Sequence, residues 1–276
     1  MEKVYHYTGS LGLLGIIKNE HIRCTNINYL NDRTEHTYAI DEFRKECLHR
    51  ENLALDGTPF QKLYRQLNNF CLQNVKDCYV ACFTYCYDEN IFWKSYGSSS
   101  ARYSIEFDKV DIERATHVAN KEIIKHFVPR TFNVSYSPDE LQKILNIEKL
   151  SHEMKTSVEK MVTNIINETC FFFSSTKNKE WNNEKEFRII LSERKSVDRN
   201  TEEYVYDKGK ENLINFFDRD GVLVPYTTIP IKRNLIKRIT YQTDRNDDRV
   251  EQSLRLLKRL YNASFEIERS KSSFCR

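Results

Sequence analysis

The sequence lacks long apolar runs and any strong excess of charge of one sign. No segment approaches the ~18 consecutive apolar residues of a membrane-spanning helix. The first residues, Met-Glu-Lys-Val-Tyr-His, have a strand-like pattern rather than the charged and then apolar pattern of a secretion signal. With 43 basic and 40 acidic residues the net charge is only +3, so a polyanionic partner is not required. These absences predict a cytoplasmic protein with no membrane association.

Several familiar catalytic motifs are also absent. The chain contains no Walker loop, no His-Glu-x-x-His pair and no Gly-x-Ser-x-Gly elbow. P-loop, metalloprotease and α/β-hydrolase chemistry are therefore not indicated. The composition, with 39% hydrophobic, 12% aromatic and 30% charged residues, is typical of a folded protein with a charged surface.

The 8 cysteines do not form the pattern of a metal site or a disulfide framework. Without a secretion signal, we expect reduced thiols. Cys78, Cys82 and Cys86 recur at every fourth residue, whereas zinc sites usually use Cys-x-x-Cys pairs. On a strand these cysteines share one face with Val80 and Thr84. This spacing favours small buried residues over metal ligands, and we predict no metal.

Hydrophobic periodicity predicts an α+β fold. Apolar residues at helical spacing predict an amphipathic helix that begins at Pro59, and a final helix over about residues 248–261. Strand-like composition marks residues 78–85, 102–107 and 186–191. Strands near both ends of a chain need partners. We therefore expect one domain over residues 1–276, with mixed, mostly antiparallel sheets and helical insertions.

The strongest cluster of polar residues lies in the segment from Lys177 to Leu191. On a strand, Glu184, Glu186 and Arg188 would lie on one face, so two carboxylates and a guanidinium would converge. The ordinary interpretation is a solvated charged face of an antiparallel strand. The functional interpretation is that the carboxylates stabilise an oxocarbenium-like transition state, as enzymes that cleave bonds to an anomeric carbon require.

A second candidate is His6, at the end of the first predicted strand. Gly9, Gly12 and Gly15 follow it at a predicted helix start, where backbone N–H groups can bind phosphate. The spacing of these glycines differs from the dinucleotide fingerprint, whose first two glycines are separated by one residue. Close packing of the helix on the strand is therefore the favoured interpretation.

Two weaker signals come from aromatic and basic residues. Trp93 and Tyr96 lie one helical turn apart before a serine-rich segment, and could stack on a nucleobase or nicotinamide, although core packing is favoured. Basic residues over 232–238 and 255–259 could contact phosphates of a nucleic acid, but a solvated face is favoured because acidic residues balance them.

The order of these motifs resembles a bacterial family, the domain of unknown function 2971. That family in turn resembles ADP-ribosyltransferases, which in one form use a first-strand histidine, a tyrosine and a late-strand glutamate around NAD. The resemblance spans nearly the whole chain. The matching motifs are His6-Tyr7-Thr8, Gly15-Ile16-Ile17, Tyr29-Leu30-Asn31-Asp32 with Glu35, Tyr79-Val80-Ala81-Cys82-Phe83, Trp93, Tyr96-Gly97, Ile105-Glu106-Phe107-Asp108, Lys177, Trp181, Glu184-Lys185-Glu186-Phe187-Arg188 and Ser270 to Arg276.

The resemblance implies an ADP-ribosyltransferase-like fold in which His6 and the segment around Glu186 meet in one cleft, with NAD as substrate. His6 would hydrogen-bond the nicotinamide-side ribose. Glu186 would bind a ribose hydroxyl and stabilise the oxocarbenium ion, and Glu184 would orient the acceptor. The implied catalytic residues are Glu186, Glu184 and His6, and the implied NAD-binding residues are His6, Tyr7, Thr8, Trp93, Tyr96 and Arg188.

The resemblance leaves the acceptor open, because Tyr7 stands where the transferases usually have glycine and no Ser-Thr-Ser segment is present. ADP-ribose would be transferred to an unidentified protein or nucleic acid, or to water in an NAD glycohydrolase. A non-catalytic nucleotide-sensing module is the alternative from another class. By resemblance alone, a role in bacterial toxin or antiviral defence loci is expected, with a possible partner protein from the same locus.

Overall fold

The computed structural model describes residues 1–30, 35–73, 78–95, 101–119, 121–137, 139, 145, 165, 168–194, 196–197, 204–205, 209–243 and 248–272. Its strands are β1 (Lys3–Gly9), β2 (His21–Asn26), β3 (Cys78–Thr84), β4 (Ala101–Asp108), β5 (Phe127–Asn133), β6 (Glu186–Glu193), β7 (Ser196–Val197), β8 (Tyr204–Val205), β9 (Asn215–Arg219), β10 (Val222–Pro230), β11 (Ile236–Thr243) and β12 (Glu266–Arg269). Its α-helices are α1 (Ser10–Asn19), α2 (Glu35–Leu53), α3 (Pro59–Gln73), α4 (Asn90–Ser95), α5 (Lys109–His117), α6 (Lys121–His126), α7 (residues 168–174) and α8 (Arg249–Leu260).

The predicted α+β class is confirmed, with a large and mostly antiparallel open sheet. The helix predicted at Pro59 is α3, and the predicted final helix is α8. The strands predicted over 78–85, 102–107 and 186–191 correspond to β3, β4 and β6. None of the described helices is long and apolar enough to cross a membrane.

The sheet has ten strands and branches at β3. Its main path runs β12-β11-β4-β1-β3-β2-β10-β9, and β6 with β5 adds to β3 as well. One edge of β3 pairs with β6 along its whole length. The other edge is shared, because β2 pairs with β3 at Tyr79 and Val80, whereas β1 pairs with it at Thr84. β1 and β2 therefore diverge along β3, and we call this point the β1–β3 fork.

Alternation along the strands gives the sheet two different faces. The core face carries the main hydrophobic cluster, to which Phe83, Ile105 and Phe187 belong. The opposite face, called here the polar face, carries Tyr5, Thr84 and Glu186, which the register places directly opposite one another. Helix α1 covers part of the core through Leu13, Ile16 and Ile17.

Candidate active site

One row of directly opposed residues crosses five strands on the polar face. It runs from Arg238 through Glu106, Tyr5 and Thr84 to Glu186, on β11, β4, β1, β3 and β6. Residues opposite one another in a sheet point to the same side. Both ends of the row carry charged residues, and the end at Glu186 is the more buried.

Glu186 lies among three other charged side chains. The four residues are called here the carboxylate–cation cluster: Lys177, Glu184, Glu186 and Arg188. The Lys177 Nζ atom lies 2.6 Å from Glu184 Oε2 and 3.2 Å from Glu186 Oε2. Arg188 donates from Nε and Nη2 to Glu186 Oε2, at 2.9 and 2.5 Å. Its Nη1 donates to the Ser174 carbonyl at 2.8 Å. Two cations therefore hold two carboxylates side by side.

The local backbone brings Glu184 to Glu186 in a way the sequence pattern does not predict. Strand β6 begins at Glu186, so the expectation that Glu184 lies on the same strand is wrong. Glu184 ends a 3-10 helix over Lys179–Glu184, and Lys185 then adopts a left-handed conformation with φ 44°. This turn directs both carboxylates to Lys177, and the Thr84 hydroxyl secures it by donating to the Glu184 carbonyl at 2.6 Å.

The cluster keeps Glu186 ionised. Burial by itself would raise the pKa of Glu186, but the adjacent Arg188 and Lys177 cations outweigh it and hold the pKa below the usual carboxylate range. The Glu186 backbone N–H donates to the Tyr136 hydroxyl at 2.9 Å. Burial raises the pKa of Tyr136 to about 12, so this phenol stays neutral. The site therefore has an ionised Glu186 carboxylate and a neutral phenol at neutral pH.

The structure places His6 at the β1–β3 fork. Its Nδ1 lies 2.8 Å from the Cys82 carbonyl, which only accepts, so Nδ1 carries the proton. Burial lowers the pKa of His6, and the imidazole is therefore neutral. The His6 ring packs 5.5 Å from that of Phe83, on the core face. Because Glu186 lies on the polar face, the structure does not bring His6 and Glu186 onto one face.

Tyr7 and Trp93 belong to a small aromatic cluster on the polar face. The Tyr7 ring is stacked on Phe92 at 5.0 Å and meets Trp93 edge-on at 4.9 Å. Trp93 is fully buried and donates from Nε1 to Asp88 at 2.8 Å. These contacts support core packing for Trp93, which was the favoured interpretation. Its predicted partner Tyr96 lies outside the described residues.

Gly12 packs closely against Thr8. A Cβ atom at Gly12 would lie 2.0 Å from Thr8 Oγ1 and 3.3 Å from Thr8 Cβ, so a side chain there would clash where α1 passes over the end of β1. At Gly9 and Gly15 a Cβ atom would meet nothing within 4 Å, so close packing is supported at Gly12 and not at the other two glycines.

The cysteines also have the packing role expected of them. Cys78 and Cys82 lie in an apolar cluster with Val80, and the six cysteines whose side chains are described form no disulfide. Among the described residues, no group of His, Cys, Asp and Glu side chains could hold a metal ion.

Sequence reasoning therefore found Glu184, Glu186 and Arg188, but it missed other members of the site. It gave no role to Lys177, although this residue contacts both carboxylates. It also missed Tyr136 and Thr84, which hold the backbone of the site. Lys177 is a charged residue that is nine-tenths buried, but burial is visible only after folding.

These features define a mixed α+β protein built on a large, mostly antiparallel open sheet with a buried charge cluster. Residues 92–189 match the family model described as "Protein of unknown function (DUF2971)". The match covers about a third of the chain and includes the whole carboxylate–cation cluster, but not His6. It supports the predicted resemblance to that family. No curated protein and no solved structure matches the chain.

Proposed function

We propose that the protein is an NAD-dependent ADP-ribosyltransferase whose essential carboxylate is Glu186. The observation that carries the proposal is the geometry of the cluster. Arg188 and Lys177 contact the Glu186 carboxylate through its Oε2 atom. Oε1 is the atom that would accept a ribose hydroxyl. An ionised carboxylate there would stabilise the positive charge that develops on the ribose as nicotinamide leaves.

Glu184 is the second carboxylate of the proposed site. It shares Lys177 with Glu186, so both carboxylates contact one ammonium group. From this position Glu184 would orient the acceptor, which is an unidentified macromolecule. Arg188 is a positioning residue in this proposal, because it acts on the substrate through Glu186.

His6 has a different role in this proposal from the one that the resemblance implies. Its imidazole donates to the Cys82 carbonyl at the β1–β3 fork. It would thereby position β3, and through the register of β3 the paired strand β6 that carries Glu186. Binding of the nicotinamide-side ribose by His6 would require the imidazole to reach the polar face.

The proposal is tested by incubating the purified protein with adenine-labelled NAD and measuring released nicotinamide. Label that becomes attached to a macromolecule indicates transfer, and label that stays free indicates an NAD glycohydrolase. Glu186→Asp keeps the charge of the cluster but withdraws the carboxylate by about one bond, and we expect it to lower kcat/KM about 100-fold. Glu186→Gln should lower it by about 100-fold to 1000-fold.

Glu180→Gln is the matched control, because Glu180 is an exposed glutamate on the 3-10 helix that leads to Glu184. It should leave nicotinamide release unchanged. Unfolding in urea separates loss of activity from loss of fold, and Glu186→Asp is the decisive variant because the charge balance is kept. Full activity in Glu186→Asp, or no nicotinamide release by the wild type, would sink the proposal.

A non-catalytic nucleotide-sensing module is the second candidate. The observation that favours it is the burial of the carboxylate–cation cluster. The Glu184 and Glu186 side chains are only 9% and 3% exposed, and the cations of the cluster balance their charges. Catalysis requires that NAD binding opens this cluster, whereas sensing does not require contact with Glu186. Tight binding of NAD without release of nicotinamide, unchanged in Glu186→Asp, would establish this alternative.

A further inference from the structure

A pocket of about 620 Å³ lies at the end of β3 that is far from Glu186. Its floor is a second row of opposed residues, in which Phe216 faces Pro225 and Asn26 faces Tyr79. The register between β10 and β2 places Pro225 beside Asn26. The floor therefore crosses β9, β10, β2 and β3, and it offers the flat aromatic ring of Phe216 beside the apolar ring of Pro225.

The walls of the pocket are held by hydrogen bonds. On one side, Asn28 donates its backbone N–H to Asn26 Oδ1 at 3.0 Å. Arg219 Nη1 donates to the Tyr29 carbonyl at 2.7 Å, which ties this turn to β9. On the other side, Glu211 Oε2 accepts a backbone hydrogen bond at 2.9 Å. These bonds hold the backbone segments that carry the lining residues.

The lining defines the chemistry of a ligand. The ring of Phe216 is 59% exposed, and an exposed ring on a flat floor can stack on a planar heterocycle. The carboxylate of Glu211 accepts the Gly209 backbone N–H at Oε2, it has the lone pairs to accept further hydrogen bonds, and it repels phosphate groups. The side-chain amide of Asn28 can donate as well as accept.

We propose that this pocket binds a guanine-type purine base, as the base or the nucleoside. Its ring would stack on Phe216. Its N1–H and exocyclic amino groups form an edge with two donors, which matches the Glu211 carboxylate, and Asn28 would donate to the carbonyl oxygen of the base.

The pocket is separate from the site of the proposed NAD chemistry. Tyr79 belongs to the main core cluster and lies on the core face, whereas Glu186 lies on the polar face. The sheet separates the two sites. Binding of the base at Phe216 therefore goes beyond the proposed function, and it can be tested without an activity assay.

Titration of the purified full chain with guanosine, followed by calorimetry or by NMR shifts, tests the inference. We expect Phe216→Ala to weaken guanosine binding about 10-fold or more, because stacking on one aromatic ring is lost. Glu211→Gln should weaken guanosine binding by a similar factor, because the amide presents only one acceptor atom. Leu223→Ala is the matched control, since Leu223 is 66% exposed in the same β9–β10 hairpin but does not line the pocket. It should leave binding unchanged.

Phe216 and Glu211 are both exposed, so thermal melting should show that the variants fold as the wild type does. Failure of guanosine to bind up to its solubility limit would overturn the inference. Binding that both variants leave unchanged would also overturn it. Equal affinity for adenosine would contradict the contact with Glu211. Tighter binding of a monosaccharide than of guanosine would contradict a purine as the ligand.

Discussion

Two charge networks on the polar face contain the same kinds of residues but differ in burial. The carboxylate–cation cluster has its cations inside, where Lys177 is 5% and Arg188 is 0% exposed. In the second network, called here the edge network, Lys3, Lys237 and Arg238 are 36%, 36% and 30% exposed. They surround the buried carboxylates of Glu106 and Asp108.

The two networks differ in whether their cations reach water. Lys3 lies 2.9 Å and Lys237 3.2 Å from the Asp108 carboxylate, and both remain partly in water. Such cations lose little hydration and are easily replaced by solvent. Arg188 cannot regain water without opening the sheet. A buried group that is held this way defines a single geometry, which the proposed role of Glu186 requires.

The largest expected effect comes from a substitution in the carboxylate–cation cluster alone. Arg188→Met removes one of the two cations that contact the buried carboxylates among the described residues, and Lys177 remains. We expect a loss of about 3–5 kcal/mol in the free energy of unfolding. Arg238→Met is the matched change in the edge network, and we expect a loss of about 1 kcal/mol or less. Unfolding in urea measures both losses. If the two variants lose equal stability, burial of the cation is not the property that distinguishes the networks.

The fold is predictable to the extent that it depends on local periodicity. Helix α3 begins at Pro59, where proline and the apolar spacing predict a helix start, and β6 begins at Glu186, where strand-like composition begins. The branching of the sheet at β3 could not be predicted, because it depends on pairings between distant segments, such as Tyr5 with Thr84. No local pattern specifies which strands share an edge of β3.

The candidate site was predictable in part for the same reason. Alternation along β6 places Glu186 and Arg188 on one face, and this much follows from sequence. The left-handed turn at Lys185 and the inward side chain of Lys177 do not, since they arise from the packing of a 3-10 helix against β3 and β6. Whether His6 meets Glu186 depends on the register, which places Tyr5 and not His6 in line with Thr84 and Glu186, and neighbouring residues of a strand face opposite sides.

The β1–β3 fork lies between the two networks. The substitution His6→Phe should weaken the contact between β1 and β3 at this fork. The Cys82 carbonyl would lose its hydrogen bond, so we expect a loss of about 1–3 kcal/mol at neutral pH, measured by urea unfolding. The pKa of His6 lies below its ordinary value of 6.5 in the folded protein. The unfolded state therefore binds the proton first, and the stabilisation is complete above about pH 6.5 and declines as the pH falls below it.

The difference in stability between wild type and His6→Phe should accordingly shrink as the pH is lowered from 7 towards 5. A difference that stays constant over this range would mean that the imidazole is not held neutral by burial. Other histidines are present in both proteins, so their titration cancels in the comparison.

The smallest effect is expected in the edge network. Added salt should reduce this effect but not the effect of a change in the carboxylate–cation cluster. Lys237→Met removes one of two lysines beside Asp108, and we expect a loss of about 0.2–1 kcal/mol at low ionic strength. At about 1 M salt the screening length falls to about 3 Å, so this loss should nearly vanish. The loss caused by Arg188→Met should persist at high salt, because ions and water do not reach the guanidinium. If salt removed both losses, Arg188 would be accessible to solvent, and the carboxylate–cation cluster would not be closed as described.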